Sequence, residues 1–411
     1  MKEITGGVCA AKGFLAGGIR CGIKPSSQKK DLALIYSKTN CSAAAVFTTN
    51  KVKAACVVLS ENHIADAKLR AIIANSGNAN ACTGQAGIKT AKRMAQLVAD
   101  NLLIDPSDVA VASTGVIGVP LPVDLIEKNI DALKQNLRSD ELGHNAALEA
   151  IMTTDTKKKD IAVQIEIDGK AVHIGAMTKG SGMIHPNMAT MLAFITTDAA
   201  ILPSALNTAL RQAVKKSFNR LTVDGDTSTN DMAVVMANGE AGNTTITGEC
   251  ENYKIFYNAL EYVCIDLTKK MARDGEGATK LVAVKVTGAE NEDTAEVLAK
   301  SAASSSLVKA ACFGADANWG RVLCAMGYGA HNAGVNFNQD NVNISFSSKA
   351  GTVQVCKNGG SIEFSEEKAK LILLEEEIDI IIELNDKDGE ATVWGCDLTY
   401  DYVKINGDYR S

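Results

Sequence analysis

The clearest secondary-structure signals of the chain lie in residues 161–195, IAVQIEIDGKAVHIGAMTKGSGMIHPNMATMLAFI. Apolar and polar residues alternate over 161–167, and Asp168-Gly169 is a strong turn signal before a second apolar run at 171–174. This pattern predicts a β-hairpin. After a glycine-rich loop, the continuous apolar run 191–195 predicts a buried strand. The stretch therefore predicts three strands, with a polar loop before the last of them.

Short apolar runs and amphipathic stretches flank this region on both sides. Strands are predicted at 32–36, 45–47, 56–59, 71–73, 280–286, 342–348, 352–357, 378–385 and 391–404. Helices are predicted near 88–103, 122–138, 203–219, 252–273 and 294–310. The mixture predicts a layered α+β or α/β structure. The polar stretch 287–293 is either a simple loop or a boundary between a main domain, 1–286, and a smaller α+β domain, 287–411.

The composition is that of an ordinary globular protein. The chain has 411 residues, of which 46% are hydrophobic and 22% charged, which argues against wholesale disorder or a fibrous repeat. A formal net charge of −6 argues against attraction of the whole protein to nucleic acid or to an anionic membrane. No apolar run approaches the roughly 20 residues of a spanning helix, and we expect no signal peptide. The eleven scattered cysteines contain no Cys-x-x-Cys pair, which is typical of core residues in a reducing cytoplasm.

Metal and nucleotide sites have little support in the sequence. The five histidines are widely separated and lack ligand spacing. The acidic segment 223–231 lacks the glutamate that closes a calcium loop, so a tight turn network is the better interpretation. The glycines of 275–280 lack the spacing of a phosphate-binding loop. We therefore expect neither a metal nor an organic cofactor.

The loop 178–192 places Thr190 at the start of an apolar strand. A threonine hydroxyl is a poor nucleophile unless a base lies beside it. If the chain were cut after Ala189, the new α-amine of Thr190 would be such a base, because α-amines have pKa values of about 7.7 to 8. From spacing alone, an ordinary strand residue after a glycine-rich loop remains the simpler interpretation.

Motifs along essentially the whole chain carry a family resemblance. They are 12–14 (KGF), 75–84 (NSGNANACTG), 113–118 (STGVIG), 152–156 (MTTDT), 179–192 (KGSGMIHPNMATML), 224–231 (DGDTSTND), 314–321 (GADANWGR) and 405–411 (INGDYRS). As a set they are highly specific, and they resemble the ornithine acetyltransferase (glutamate N-acetyltransferase) family of arginine biosynthesis.

The resemblance implies an αββα-type sandwich of the N-terminal-nucleophile kind with a smaller C-terminal α+β domain. It also implies self-cleavage between Ala189 and Thr190 into chains 1–189 and 190–411, which stay associated, two copies of each. Thr190 would take the acetyl group from acetylornithine as an ester, release ornithine, and pass the acetyl to glutamate to give acetylglutamate. Acetyl-CoA as a second donor is left open. Neither nucleic acid nor membrane is an expected partner.

The site residues that the resemblance implies fall into two groups. Thr114 and Gly115 match the oxyanion hole, and a glycine there lets a backbone N–H approach the developing oxyanion closely. The substrate-binding residues are Thr154, Lys179, Thr190, Glu276, Asn406 and Ser411. Their types suit an amino-acid ligand, since a lysine can pair with an α-carboxylate and a glutamate with an ammonium group.

Some choices stay open. Thr153 or Thr156 could replace Thr154, because the run Thr-Thr-Asp-Thr gives no physical reason to choose. The segment 157–160 and the final Ser411 depart from the usual pattern of the family, although serine keeps the hydroxyl. Two rival functions are an amidase or aminopeptidase that uses the same threonine and transfers the acyl group to water, and an uncleaved amino-acid-binding protein.

Overall fold

The structure is a computed structural model that describes residues 1–25, 27–185, 191–248 and 250–408. Its strands are β1 (Lys2–Ile4), β2 (Phe14–Ile19), β3 (Leu32–Phe47), β4 (Lys68–Asn78), β5 (Val109–Val116), β6 (Lys159–Ile167), β7 (Lys170–Lys179), β8 (Leu192–Thr197), β9 (Leu221–Thr222), β10 (Met232–Ala237), β11 (Leu281–Ala289), β12 (Asn343–Ser348), β13 (Gly351–Lys357), β14 (Gly360–Ser361), β15 (Glu377–Glu383) and β16 (Gly389–Cys396). Its α-helices are α1 (Ala55–His63), α2 (Gly84–Leu102), α3 (Val123–Gln135), α4 (Glu141–Ile151), α5 (Pro203–Lys216), α6 (Glu251–Arg273), α7 (Glu292–Ser304), α8 (Ser306–Phe313), α9 (Trp319–Ala333), α10 (Glu366–Leu373) and α11 (Tyr400–Gly407).

The chain forms two compact units. Unit 1 comprises Met1–Gly180, Pro186–Asn219 and Thr227–Leu267, and unit 2 comprises Ser181–His185, Arg220–Asp226 and Thr268–Ser411. Each unit contains one mixed β-sheet. The predicted α+β class is therefore confirmed.

The sheet of unit 1 has the strand order β1-β6-β7-β8-β10-β3-β4-β5, with β2 paired to β3. Two of its pairings are parallel, β8 with β10 and β4 with β5. Every residue of β8 and of β10 is buried. This burial explains why the sequence of β8 is a continuous apolar run, as expected for a strand that is covered on both faces.

The predicted hairpin is confirmed as β6 and β7, with Ile167 opposite Lys170. Asp168 and Gly169 both have positive φ values, 51° and 71°, as a two-residue type I′ turn requires. β7 then pairs with β8 over its last six residues, which end at Lys179. The hairpin thus places Lys179 at the C-terminal end of a central strand.

One strand prediction in unit 1 is wrong. Residues 56–59 belong to α1 and not to a strand. Val58 is exposed while Cys56, Val57 and Leu59 are buried, so the four apolar residues do not all face the core. A four-residue apolar run cannot by itself distinguish a strand from one turn of a helix.

The sheet of unit 2 has the order β14-β13-β12-β15-β11-β16-β9. Helix α7 packs on β11, β16 and α9, while α10 packs on β12 and β13. The buried cluster between these helices and the sheet includes Val284, Leu298, Met326, Phe346 and Ile380. Burial of such side chains contributes about 1.5–3 kcal/mol each, which stabilises this unit around its own core.

The polar stretch 287–293 lies within unit 2, and β11 on one side and α7 on the other contribute to the same hydrophobic core. It contains the end of β11, a positive-φ glycine at Gly288 and the N-cap of α7 at Asn291. Turn and capping residues are polar for local reasons. The stretch therefore lies within one unit, and the last change from unit 1 to unit 2 along the chain falls at Leu267–Thr268.

Two further predictions in unit 2 need correction. The helix predicted at 294–310 is interrupted at Ser305, whose hydroxyl accepts a hydrogen bond from the Val308 N–H and caps α8. The strand predicted at 391–404 ends at Cys396, and α11 follows from Tyr400. Among the helices that were not predicted are α4, α9 and α10.

Within the described ranges, no helix is both long and apolar enough to cross a membrane.

Candidate active site

Thr114 and Gly115 lie at the C-terminal end of β5, beside the end of β4. Gly115 has a φ of 134°, which side chains rarely permit. A Cβ atom at this position would lie 2.3 Å from the carbonyl carbon of Gly77 and 2.5 Å from the backbone nitrogen of Asn78. Only glycine therefore fits between the two strand ends without a shift of the backbone.

Lys179 lies beside this pair. Its Nζ atom donates a hydrogen bond of 3.3 Å to the Thr114 hydroxyl oxygen, and Lys179 is only 9% exposed. Because the lysine occupies a lone pair of the hydroxyl oxygen, the hydroxyl hydrogen remains available for another acceptor. The contact brings together two of the residues that the motifs single out.

Asp155 connects Lys179 to the threonine run. Its carboxylate accepts hydrogen bonds from the Gly180 N–H at 2.8 Å, the Thr153 N–H at 2.9 Å and Lys159 Nζ at 2.6 Å. Burial alone would raise the pKa of Asp155, but the charges of Lys179 and Lys159 and these hydrogen bonds hold it well below its usual range. Asp155 is therefore an anion that shares the charge of Lys179.

The structure separates the three candidate threonines only by exposure. Thr153 and Thr154 are half-buried, whereas Thr156 is exposed. The backbone N–H of Thr153 is fixed by Asp155. Thr153 is thus held by the same carboxylate whose pKa the charge of Lys179 lowers.

A second lysine, Lys24, belongs to this cluster and was not predicted. Its Nζ atom donates to the Met152 carbonyl at 2.7 Å. A Cβ atom on Gly77 would lie 2.7 Å from Lys24 Cγ, so the lysine stem passes against the strand end that faces Gly115. Burial, with the charges of Lys29 and Lys179, lowers the pKa of Lys24 to about 8, while the charges of Asp31 and Asp155 oppose this shift.

Asp231 is a buried acid immediately before β10. Burial raises the pKa of Asp231 well above its usual range, although Ser228 hydrogen-bonds the carboxyl group and Lys179 supplies an opposing charge. Among the described residues, its Oδ2 atom has no hydrogen-bond partner. Burial therefore favours the protonated, uncharged form of Asp231.

A second cluster lies in unit 2 around Glu276. Its carboxylate accepts a hydrogen bond of 2.8 Å from Asn406 Nδ2, and its backbone N–H donates to the Ser181 carbonyl at 2.8 Å. A Cβ atom on Gly182 would lie 2.3 Å from the Glu276 carboxyl carbon, so the glycine lets the carboxylate lie against the backbone. Glu276 is 8% exposed. The structure thus brings together Glu276 and Asn406, two predicted substrate-binding residues.

The short segment 181–185 of unit 2 is held by Asp224. The Asp224 carboxylate accepts hydrogen bonds from the backbone N–H groups of Met183 and Ile184 at 2.7 and 2.8 Å. His185 Nδ1 lies 3.0 Å from Thr222 Oγ1. Burial lowers the pKa of His185 to about 4, and the charge of Lys300 adds to the effect. His185 is therefore neutral at neutral pH.

Three predicted residues, Ala189, Thr190 and Ser411, lie outside the described residues. The part of the chain that the structure describes contains no group of three or more His, Cys, Asp or Glu side chains that could hold a metal ion. Of the residues that sequence reasoning missed, Asp155, Asp224 and Asp231 are part of quoted motifs. Lys24 carries no signal of its own, because it lies in a lysine- and serine-rich stretch typical of surface loops.

The half-buried Thr114–Gly115 pair, with a lysine that donates to the Thr114 hydroxyl, is the kind of donor arrangement that acyl-transferring enzymes use. Over residues 15–411 the chain matches the ArgJ family. The arginine biosynthesis bifunctional protein ArgJ 1 of Clostridium acetobutylicum is 52% identical over 398 residues, which cover 97% of this chain and 96% of that protein. The ArgJ protein of Symbiobacterium thermophilum is 52% identical over 412 residues, which cover 100% of both.

Among solved structures, the crystal structure of the arginine biosynthesis bifunctional protein ArgJ from Bacillus halodurans is similar at 48% identity and a TM-score of 0.50. The match covers 53% of this chain and 99% of that chain. The chain belongs to the ArgJ family, and it is an acyltransferase of arginine biosynthesis, as the motifs predicted.

Proposed function

We propose that the chain cuts itself between Ala189 and Thr190 and then moves an acetyl group from acetylornithine to glutamate through an acetyl ester of Thr190. The two half-reactions share Thr190 as the acetyl carrier and alternate, so the donor product leaves before the acceptor binds. The contact of Lys179 with Thr114 beside Gly115 is the observation that carries this proposal.

In the first half-reaction, Thr190 Oγ attacks the acetyl carbonyl carbon of acetylornithine, and the Thr190 α-amine takes the hydroxyl proton. The tetrahedral intermediate carries a negative oxygen. As the C–N bond breaks, the same proton passes to the leaving amine and ornithine departs. In the second half-reaction the α-amine of glutamate attacks the ester, and the steps run in reverse. Both pKa matching and proximity favour an α-amine as the base.

Thr114 and Gly115 would stabilise the negative oxygen. Lys179 donates to the Thr114 oxygen, so the hydroxyl hydrogen can be donated to a ligand, and its donor strength increases beside a cation. Gly115 has no side chain to keep a ligand away from its N–H. Donors of this kind contribute about 10²–10³ in rate each. This arrangement favours acyl transfer over simple binding, which requires no oxyanion donors.

Lys179 has a second role in the proposal, as the partner of the substrate α-carboxylate. Lys179 is buried. The Asp155 carboxylate lies close enough to Lys179 that the lysine charge lowers the pKa of Asp155. A substrate carboxylate would share that charge with Asp155. Thr154 lies next to Asp155 along the chain and offers a hydroxyl for orientation.

Glu276 and Asn406 would bind the ammonium group of the amino-acid substrate. Asn406 donates its amide N–H to Glu276, which leaves the amide oxygen of Asn406 as an acceptor. A carboxylate and an amide oxygen side by side suit an ammonium group, which has three donors and no acceptor. We include Ser411 in this set from the family motif alone.

The cleaved chains would stay together because the cut precedes a central strand. β8 pairs with β7, which belongs to residues 1–189, and with β10, which belongs to residues 190–411. The lengths of the relatives also support a cut in the chain. The match to the solved Bacillus halodurans chain covers 53% of this chain, whereas the match to the Symbiobacterium thermophilum protein covers 100% of it. Residues 190–411 make up about 54% of the chain.

The word bifunctional in the names of the relatives supports acetyl-CoA as a second acetyl donor.

Single-turnover kinetics test the proposal. Enzyme in excess over acetylornithine should release ornithine once per active site, then stall until glutamate is added. Steady ornithine release without glutamate would instead indicate an amidase or aminopeptidase that transfers the acetyl group to water. Binding of acetylornithine with no ornithine release would indicate an uncleaved binding protein.

A further inference from the structure

The side-chain amide of Asn230 joins the ends of two strands near Thr114. Its Nδ2 atom donates hydrogen bonds to the Ala79 carbonyl at 2.6 Å and to the Ser113 carbonyl at 2.8 Å. Both hydrogens of the amide are therefore used. The Asn230 Oδ1 atom accepts from the Thr229 hydroxyl at 2.6 Å. Asn230 is only 5% exposed, so these bonds are shielded from water.

The two carbonyls that Asn230 holds are next to the oxyanion residues. Ser113 immediately precedes Thr114, and Ala79 follows the end of β4, whose Gly77 backbone presses against Gly115. The parallel pairing of β4 with β5 becomes irregular at Gly77 and Asn78. Backbone bonds resume beyond the irregularity, with the Ala79 N–H donating to the Val116 carbonyl at 3.0 Å, and Asn230 adds a side-chain connection between the two strand ends.

The same segment also holds the strand that follows Thr190. The Met232 N–H donates to the Met191 carbonyl at 2.9 Å, and Met232 lies opposite Leu192 in the parallel pair of β10 with β8. Met191 is bonded directly to Thr190. Residues 230–232 therefore hold β8 through their backbone and the end of β5 through the Asn230 side chain.

We propose that Asn230 is a positioning residue that sets the place of the Thr114 and Gly115 donors relative to β8, the strand that follows Thr190 in the sequence. This inference rests on the proposed function, since it concerns acyl transfer by Thr190. The reacting groups of an enzyme must be held within about 0.5 Å, and a misplacement of about 1 Å costs roughly 10²-fold in rate. A buried amide with two short hydrogen bonds provides that precision where the strand pairing becomes irregular.

A purely structural role is the alternative, because any buried polar network stabilises its surroundings. The chain offers a matched control for it. Ser113 Oγ donates to Asn75 Oδ1 at 2.7 Å in the same buried region, but this bond uses the side chain of Ser113 and not its carbonyl. S113A therefore removes a buried hydrogen bond of the network and leaves both bonds of Asn230 in place.

The test compares N230A, N230D and S113A with the unchanged protein. The carboxyl group that N230D introduces keeps the shape of the amide but donates at most one hydrogen bond. For each protein, the cut is followed by intact mass, the melting temperature is measured, and kcat and KM for acetylornithine are determined per cleaved chain. We expect kcat to fall about 100-fold in N230A and less in N230D, with KM changed by less than about 3-fold. In S113A, kcat should stay within about 3-fold at a similar loss of melting temperature.

The proposal is overturned if N230A and S113A have the same kcat. This includes the case in which both variants lose kcat in step with their loss of melting temperature. It is also overturned if both Asn230 variants stay uncut while S113A is cut, because Asn230 would then act before acyl transfer. Failure of the proposed function has a different signature. The unchanged protein would then form no acetyl-threonine with acetylornithine, whatever the variants do.

Discussion

Lys179 Nζ donates to the Thr114 hydroxyl oxygen at 3.3 Å, which joins the end of β7 to the end of β5. The two strands are not neighbours in the sheet. The contact gives one lysine two tasks in the proposed reaction, orientation of the Thr114 hydroxyl and pairing with the substrate α-carboxylate.

Replacement of Lys179 by methionine should therefore lower both kcat and the affinity for acetylornithine. Loss of a charge-assisted hydrogen bond costs about 1.5–3 kcal/mol, and loss of Thr114 orientation adds to it. We expect kcat/KM to fall by roughly 10²–10³. The control is K158M, since Lys158 is an exposed partner of Glu149. Equal kinetics of K179M and K158M would contradict both roles.

Gly115 should be intolerant of any side chain. G115A adds a Cβ atom 2.3 Å from the Gly77 carbonyl carbon at a φ of 134°. Backbone strain of about 1–3 kcal/mol and overpacking of about 1–3 kcal/mol should lower the melting temperature, and displaced donors should lower kcat. Gly118 is the matched control, because it also has a positive φ, 81°, but a Cβ atom there would meet nothing within 4 Å. If G115A and G118A lose stability and kcat equally, the close approach of Gly77 is not decisive.

Asp231 should make the free energy of unfolding depend on pH. Its folded pKa lies well above the unfolded value of about 3.9, so between these values the folded protein holds a proton that the unfolded chain has released. Stability should then fall as the pH rises through this window, by up to about 1.4 kcal/mol per pH unit.

D231N removes that proton exchange and keeps the shape. The melting temperature of D231N relative to the unchanged protein should therefore increase as the pH rises above the unfolded pKa of about 3.9. All other titrating groups are common to both proteins, so the difference isolates residue 231. A difference that is independent of pH would show that Asp231 is not a neutral acid in the folded protein.

Lys24 should react with amine reagents at unusually low pH. Its pKa is lowered to about 8 by burial and by the charge of Lys179, so it is partly neutral near pH 8. Competitive labelling with acetic anhydride, read by peptide mass spectrometry, should give a midpoint near 8 for Lys24. In K179M the midpoint should rise, because one of the charges that lower it is gone. A midpoint at the ordinary lysine value of about 10.4 would contradict the position of Lys24 in this cluster.

Elements with strong local signals could be predicted from the sequence. The hairpin of β6 and β7 follows from strict alternation and Asp168-Gly169, and β8 follows from its apolar run. Helix α1 could not be predicted, since only its tertiary surroundings leave Val58 outside the core. α11 was missed for a related reason, because an exposed helix after a strand has no buried face to give it a period.

In the candidate site, too, some residues could be predicted from the sequence and others could not. Thr114, Gly115, Lys179, Glu276 and Asn406 could be named from motifs, but their pairing as Lys179 with Thr114 and Asn406 with Glu276 required distances. Lys24 could not be found, because its lowered pKa results from burial beside groups distant in sequence. Asn230 was visible only as part of a motif, since a buried bridging amide has no sequence pattern of its own.

The central claim is that Thr190, freed by self-cleavage, carries the acetyl group. Denaturing intact mass of freshly expressed protein, with and without acetylornithine, tests it most directly, and T190A serves as the control. The account predicts two fragments, 1–189 and 190–411, with one acetyl group added to the second fragment only when acetylornithine is present. A folded, uncut and unmodified chain of 411 residues would contradict it.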